Sequence, residues 1–363
     1  MNNMKRLLFL LLLPLFFSCG DKPKTTPSGD KPDTPSVTPV SRPGFARGAD
    51  ISWVSEMEYD GRTFKKKDGT KSDIFDVLKE VGINAIRLRV WVNPTGGWSD
   101  RDDVVALAKR ASAAGLSLMV DFHYSDFFAD PGRQTMPATW ESDAGDITGL
   151  TADVKNHTKV VLEALKNAGV TPSWVQIGNE TRGGMLWPDG ELGKSGGWEN
   201  FVRLYNAGYD AAKTVFPDII AMPHLNNAFQ DNAWWFDKFK SLGGKMDMIA
   251  LSHYPQTEPN PSDCNKQAVN QIQALAKQFG VKVMVAEVGV KTLAGEARAK
   301  EVLAAFMNDV KALDFCAGVF YWEPEVDGTW KPAVYNTLGW NAYDMGAFTK
   351  DGKATSVMDC FAE

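Results

Sequence analysis

Short apolar runs alternate with longer segments of helical period through most of this chain. Strand-like runs fall at 45–50, 85–91, 116–120, 174–178, 219–225, 246–251, 282–286 and 318–322. Between them the 3.6-residue period returns over 72–81, 101–114, 151–168, 198–215, 265–278 and 295–313. Ser72 or Asp73 caps the first of these helices, and Gly82, Gly115 and Gly280 stand where three of them stop. The remaining connections are of helix length, and a last helix is expected over 353–361. Strands that are apolar almost throughout belong to parallel sheets covered on both faces. Eight such strand–helix units predict an α/β fold, a single closed (β/α)8 TIM barrel. An open doubly wound sheet is the alternative, but no Gly-x-Gly-x-x-Gly turn follows any strand.

In a barrel of this kind reactive side chains collect where the strands end. Polar residues do gather there: Asp50, Arg89, His123, Asn179 with Glu180, His224 with Asn226, His253 with Tyr254, Glu287, and Trp322 with Glu323. Three of the four histidines lie at strand ends. A single histidine or glutamate so placed is more often a hydrogen-bonded or solvated residue than a reactive one; the joint placement on one rim is what carries weight.

Two carboxylates stand out, Glu180 after the fourth strand and Glu287 after the seventh, on opposite sides of a small barrel. Opposed carboxyls of unequal proton affinity suit glycosidic bond hydrolysis, one as acid and one as nucleophile or base. A separation of about 5–5.5 Å would give retention and about 6.5–9.5 Å inversion. Glu323 and Glu325 compete for the acid role. No His-x-His or His-Glu-x-x-His spacing supports a catalytic metal, and no Gly-x-Ser-x-Gly elbow supports a serine nucleophile.

The first residues are read as processed. Lys5-Arg6 precede an apolar run at 7–17 that is too short to span a bilayer, and Ser18-Cys19 ends it in the manner of a lipoprotein cleavage site. Residues 1–18 are therefore expected to be a lipoprotein signal peptide, with lipid added at Cys19. Residues 19–43 form a Pro/Thr/Ser-rich tether with a Gly-Asp-Lys-Pro repeat at 20–23 and 29–32. So polar a segment cannot bury enough surface to offset its ordering entropy. The folded unit is placed at 44–363, on an exported, membrane-anchored protein at the cell surface, on the outer membrane. Cys264, Cys316 and Cys360 are an odd set, in which Cys316 and Cys360 are the pair that could meet. A net charge of −6 argues against nucleic acid as partner, and no protein partner is implied. Twelve tryptophans suit either a core or stacking on sugar rings.

From residue 44 onward the chain resembles the endo-β-1,4-galactanases of glycoside hydrolase family 53. The resemblance is carried by Arg47-Gly48-Ala49-Asp50-Ile51-Ser52, by Arg87 to Pro94 (RLRVWVNP), by Asp121-Phe122-His123-Tyr124-Ser125-Asp126, by Asp130-Pro131, and by Gln176 to Glu180 (QIGNE) with Leu186-Trp187-Pro188. It implies a retaining, endo-acting hydrolase of β-1,4-galactan, the side chain of type I arabinogalactan in pectin. It implies Glu180 as acid/base, Glu287 as nucleophile, and Asn179 on the sugar 2-hydroxyl. Arg89, with Tyr254 or His253, would hold the nucleophile ionised. Asp50, His123 and Trp322 would line the same subsite, and Trp91, Trp187 and Trp234 would stack sugars further along the groove. No cofactor is implied. Some bacterial members hold calcium in a long loop after the nucleophile, but here Val288-Gly289-Val290-Lys291 leads almost at once into a helix, which argues against that site. Gly183-Gly184-Met185 also departs from the family pattern after the acid. The rivals are a β-glucanase or β-mannanase of the same clan, and a glycan-binding lipoprotein without catalysis.

Overall fold

A computed structural model describes residues 42–255, 260–292, 295–333, 335–336 and 344–362. The signal segment, Cys19 and all but the end of the tether lie outside the described residues.

Eight parallel strands form the predicted barrel: β1 Ala46–Asp50, β2 Ala85–Val90, β3 Ser117–Phe122, β4 Trp174–Ile177, β5 Ile220–Met222, β6 Met248–His253, β7 Lys282–Val288 and β8 Cys316–Trp322. β1 pairs with both β2 and β8, and pairing runs on through β3 to β5 and from β8 back to β6. Pro223, which has no N–H, splits the fifth strand; β5 pairs with β4, and its continuation His224–Leu225 pairs with β6. The ring still closes, because Asp247 N–H donates to the Ala221 carbonyl (2.9 Å) and Ala250 N–H to the Pro223 carbonyl (3.0 Å).

The outer helices are α1 Ile74–Glu80, α2 Arg101–Ala113, α3 Ile147–Asn167, α4 Gly197–Val215, α5 Ala233–Ser241, α6 Pro261–Phe279 and α7 Glu296–Lys311. Side-chain caps fix several starts: Asp73 accepts from Phe75 N–H, Asp100 from Asp102 and Asp103, and Asn260 from Ser262 and Asp263. α3 begins earlier than its apolar period shows, because Asp146 caps it by accepting from Thr148 N–H. α5 arises where the sequence indicated only a connection of helix length. The helix expected at 353–361 is instead a 3-10 helix, Ser356–Phe361, that buries Val357, Met358 and Phe361. Cys316 and Cys360 are not bridged; their thiols face the carbonyls of Gly318 and Lys300.

Alternation along the strands sorts the two cores. Outward residues such as Ile86, Leu88, Val120, Val175, Ile249 and Val285 pack under the helices. Inward residues fill the barrel: Ala46, Ala85, Ala250, Ala286 and Ala317 against Met119, Trp174, Met222, Met248, Met284 and Phe320. Small residues opposite large ones close the floor without a pore. Gly48 belongs to this fit, since a Cβ there would lie 2.0 Å from the Phe320 ring. The floor is apolar, and the next inward positions toward the strand ends are polar: Asp50, Arg87, Arg89, Asp121, Gln176, His224 and Ser252.

One break in the alternation matters most. Val283 and Val285 point outward, so strict period two would turn Glu287 outward as well. The β6–β7 register passes from Leu251 opposite Val285 to Ser252 opposite Glu287, which leaves Ala286 as an extra residue. This bulge turns both Ala286 and Glu287 inward.

Candidate active site

A cavity of about 220 Å³ opens at the C-terminal mouth, lined by residues of β1, β2, β7 and β8 and of the segments that follow β3, β4 and β6. Asp50, Arg89, His123, Asn179, Glu180, Tyr254, Glu287 and Trp322 all line it, together with Arg87, Phe128, Ala129 and Asp130. The centre of the site is Arg87, buried at 1% exposure. Its Nη1 donates to Asp50 (2.7 Å) and its Nε to Gln176 (2.6 Å). Its Nη2 faces Asp121 (2.8 Å), Asn179 (2.9 Å) and Glu287 Oε1 (2.8 Å). One guanidinium thus balances three buried carboxylates. Burial pushes Asp121 up, but Arg87 and His123 outweigh it and hold its carboxyl at about 2.

Glu287 has two donors, Arg87 on Oε1 and the Tyr254 hydroxyl on Oε2 at 2.7 Å. Burial raises its proton affinity, and Arg87 and Tyr254 oppose that. Glu180 is reached through Gly178, whose φ of +86° suits a glycine, and itself adopts φ 48°, ψ 48°. Burial and then the charge of Glu287 raise the Glu180 carboxyl, and only the Ser252 hydroxyl and the more distant Arg87 oppose them. Among the described residues no cation pairs with Glu180. The two glutamates therefore differ in the way acid and nucleophile must: Glu180 keeps its proton more readily, and Glu287 carries the cation and the phenol.

The surroundings fix the remaining groups. His123 Nδ1 accepts from Ala129 N–H (3.0 Å), so its proton is on Nε2, which faces Asp121 at 2.9 Å. Asn179 accepts from Arg87 and donates to the Ala129 carbonyl (2.8 Å), while Gln134 donates to the Asn179 carbonyl (2.9 Å). His224 bridges Asn179 and Ser252, 2.9 Å from each, and burial with Arg87 nearby keeps it neutral.

Several expected roles change. Arg89 lines the cavity but does not touch Glu287; its Nη1 donates to Glu323 (2.6 Å), and its plane stacks on Trp53 at 4.0 Å. Arg87, one inward step deeper on the same strand, makes that contact. His253 follows Ser252, so alternation points it outward, where Nε2 meets Asn265 of α6 at 2.8 Å and the ring lies against Phe306 of α7. Of the pair Tyr254 or His253, the tyrosine reaches Glu287. Trp91 is buried beside Arg89, and Trp187 packs on Gly183, to whose carbonyl its indole N–H donates (3.0 Å); neither lines the cavity. Glu323 is buried between Arg89 and the Tyr335 hydroxyl (2.7 Å). The missed residues are Arg87, Phe128, Ala129, Asp130, Gln134 and Ser252. Arg87 had a sequence signal, since Arg-x-Arg on a strand places both arginines on one face, and Asp130 stood in the Asp130-Pro131 motif.

A carboxyl of raised proton affinity facing a cation-held one at the mouth of a (β/α)8 barrel, ringed by hydrogen-bonding groups, defines the site of a glycoside hydrolase. The profile of Glycosyl hydrolase family 53 matches residues 46–361. An arabinogalactan endo-β-1,4-galactanase of Thermothelomyces thermophilus is 33% identical over 346 residues, spanning 87% of this chain and 98% of its own. A solved fungal β-1,4-galactanase structure superposes with TM-score 0.75 at 31% identity, covering 87% of this chain and 98% of its own. The Ignisphaera aggregans GH53 catalytic domain gives TM-score 0.75 at 29% identity over 90% of this chain and 98% of its own. The chain belongs to glycosyl hydrolase family 53.

Proposed function

We propose that this glycoside hydrolase is a retaining endo-β-1,4-galactanase that cuts galactan, including the side chains of type I arabinogalactan in pectin. The observation that carries the residue roles is the asymmetry between the two glutamates in one cavity. Glu180 donates its proton to the glycosidic oxygen as that bond breaks, and Glu287 attacks the anomeric carbon to form a galactosyl ester. Glu180, now ionised, takes a proton from water, whose oxygen displaces Glu287 and restores both groups. Arg87 and Tyr254 keep Glu287 anionic before attack and accept it again as the leaving carboxylate. Asn179, held on both amide atoms, serves the sugar 2-hydroxyl, and Asp50, His123 and Trp322 complete the wall. The substrate class rests on the galactanases among the relatives; the wall residues alone do not distinguish galactose from glucose or mannose.

Linear β-1,4-galactan should yield a spread of oligosaccharides, with cellulose derivatives and mannan left intact. A 2-fluoro galactoside should label a peptide at Glu287. Cleavage of glucan or mannan instead would overturn the substrate, and a label elsewhere would overturn the nucleophile. The mechanism uses the two glutamates and no cofactor. We further propose export and lipid anchoring at Cys19 at the outer surface, supported by Lys5-Arg6, the apolar run at 7–17 and Ser18-Cys19. Cys19→Ala should move the enzyme from the membrane fraction to the soluble one.

A further inference from the structure

Ser252 lies between the acid and a histidine, and its hydroxyl has one proton to give to two neighbours. Its Oγ is 2.9 Å from His224 Nε2, and it also hydrogen-bonds the Glu180 carboxyl. Both His224 and Ser252 are fully buried, so each donor and acceptor of the group has to find its match inside the protein.

The direction of that proton is set from the far side of the imidazole. The Asn179 amide is fixed, because its Nδ2 donates to the Ala129 carbonyl (2.8 Å) and its Oδ1 accepts from Arg87 (2.9 Å). The same oxygen lies 2.9 Å from His224 Nδ1. An amide oxygen accepts and cannot donate, so Nδ1 carries the ring proton. The Glu180 N–H also faces Nδ1, at 3.3 Å, but a bare Nδ1 accepting there would set two lone pairs against each other across the shorter contact. His224 faces Arg87, Asp121 and His123, and burial with Arg87 outweighs the pull of Asp121 and keeps the ring neutral. Nε2 is therefore bare and takes the Ser252 proton. Toward Glu180 the hydroxyl then presents a lone pair, which suits a carboxylic acid and repels a carboxylate. An ionised Glu180 can draw the Ser252 proton to itself, but this leaves Nε2 buried without a donor.

We propose that neutral His224, protonated on Nδ1, is a positioning residue for the acid: it turns the Ser252 hydroxyl away from Glu180, so that Glu180 keeps its proton until the glycosidic oxygen takes it. This rests on Glu180 being the acid. Glu287, Asp130 and Arg87 act on Glu180 by fixed charge, whereas the serine contact reverses its sense with the direction of one proton. No proton leaves the histidine in the reaction. Once ionised, Glu180 faces the serine lone pair and is the stronger base toward water.

The test is the pH dependence of kcat/KM on galactan in wild type, His224→Phe and the double variant His224→Phe/Ser252→Ala. With Nε2 gone, Ser252 is free to donate to ionised Glu180, so the alkaline limb should fall by about one pH unit in His224→Phe, the shift that one hydrogen bond to a charged group brings. Removing the hydroxyl as well should bring the limb back up. A limb that is unmoved or raised in His224→Phe overturns the proposal even if the rate falls. The nitrogen-NMR spectrum of the assigned histidine rings in the wild type tests it without a substitution: His224 should show a protonated Nδ1 and a bare Nε2 at neutral pH, and the reverse overturns it. Wild-type galactan hydrolysis in Glu180→Gln would instead overturn the acid assignment, and the role of His224 with it.

Discussion

Replacing Arg87 by lysine keeps the charge and removes the fork. Arg87 makes five polar contacts, to Asp50, Asp121, Glu287, Gln176 and Asn179, none longer than 2.9 Å. An ammonium has three donors, so at least two contacts go unmade. At about 1.5–3 kcal/mol for each hydrogen bond to a charged group, the variant loses about 3–6 kcal/mol of stability near neutral pH. That is a large part of what a typical domain has to spare. The pH dependence has a definite sign. Asp121 is held at about 2 against an ordinary 3.8, so in the wild type it stabilises above the ordinary value and the benefit is lost as pH falls through about 2. In Arg87→Lys that depression shrinks, so the gap between the two proteins is widest near neutrality and narrows below about pH 4. Glu287 also loses a donor on Oε1, so the acid limb of kcat/KM, which reports ionisation of the nucleophile, moves to higher pH. Urea denaturation at pH 7 and pH 4 measures the first effect, and a pH–rate profile on galactan the second. A variant within 1 kcal/mol of wild type (~the scale of one hydrogen bond) with an unmoved acid limb would refute the role given to Arg87.

Tyr254→Phe removes the 2.7 Å hydrogen bond to Glu287 Oε2, so kcat/KM should fall about 10- to 100-fold with the acid limb shifted upward; an unshifted limb contradicts it. The alkaline limb reports loss of the Glu180 proton, and because burial and Glu287 raise that group it should lie above the ordinary glutamate range on galactan. The same limb should flatten on an aryl substrate with a good leaving group, as read from initial rates across pH. His253→Leu leaves the Asn265 amide oxygen short of a partner and should cost about 1–3 kcal/mol in thermal or urea unfolding, while galactan kcat/KM stays within about twofold. A large rise in KM would return His253 to the substrate.

Much of this enzyme could be read along the chain because its signals are local. Apolar strands, helix caps and terminating glycines depend on neighbours in sequence, and they lay out the strand–helix repeat that the closed sheet confirms. Asn179 and Glu180 after β4, and Glu287 on β7, are likewise marked by where apolar runs end. Which way a side chain faces is another matter. Alternation counted from Met248 sends His253 outward and Tyr254 to the cavity. Counted from Ala85, it places Arg87 inward as well as Arg89, but their different partners depend on depth in the barrel. Glu287 reverses the rule, since only the bulge at Ala286 turns it inward, and that bulge exists in the pairing of β7 with β6 and β8. The start of α3 was hidden because its cap, Asp146, precedes the apolar period. Trp91 and Trp234 are the same residue type; one is sealed beside Arg89 and the other stands half in water in the first turn of α5. The sequence by itself determined the elements and the residues available at their ends. The tertiary structure decided which of those residues share a cavity, because burial, charge balance and strand register are properties of contacts between segments far apart in the chain.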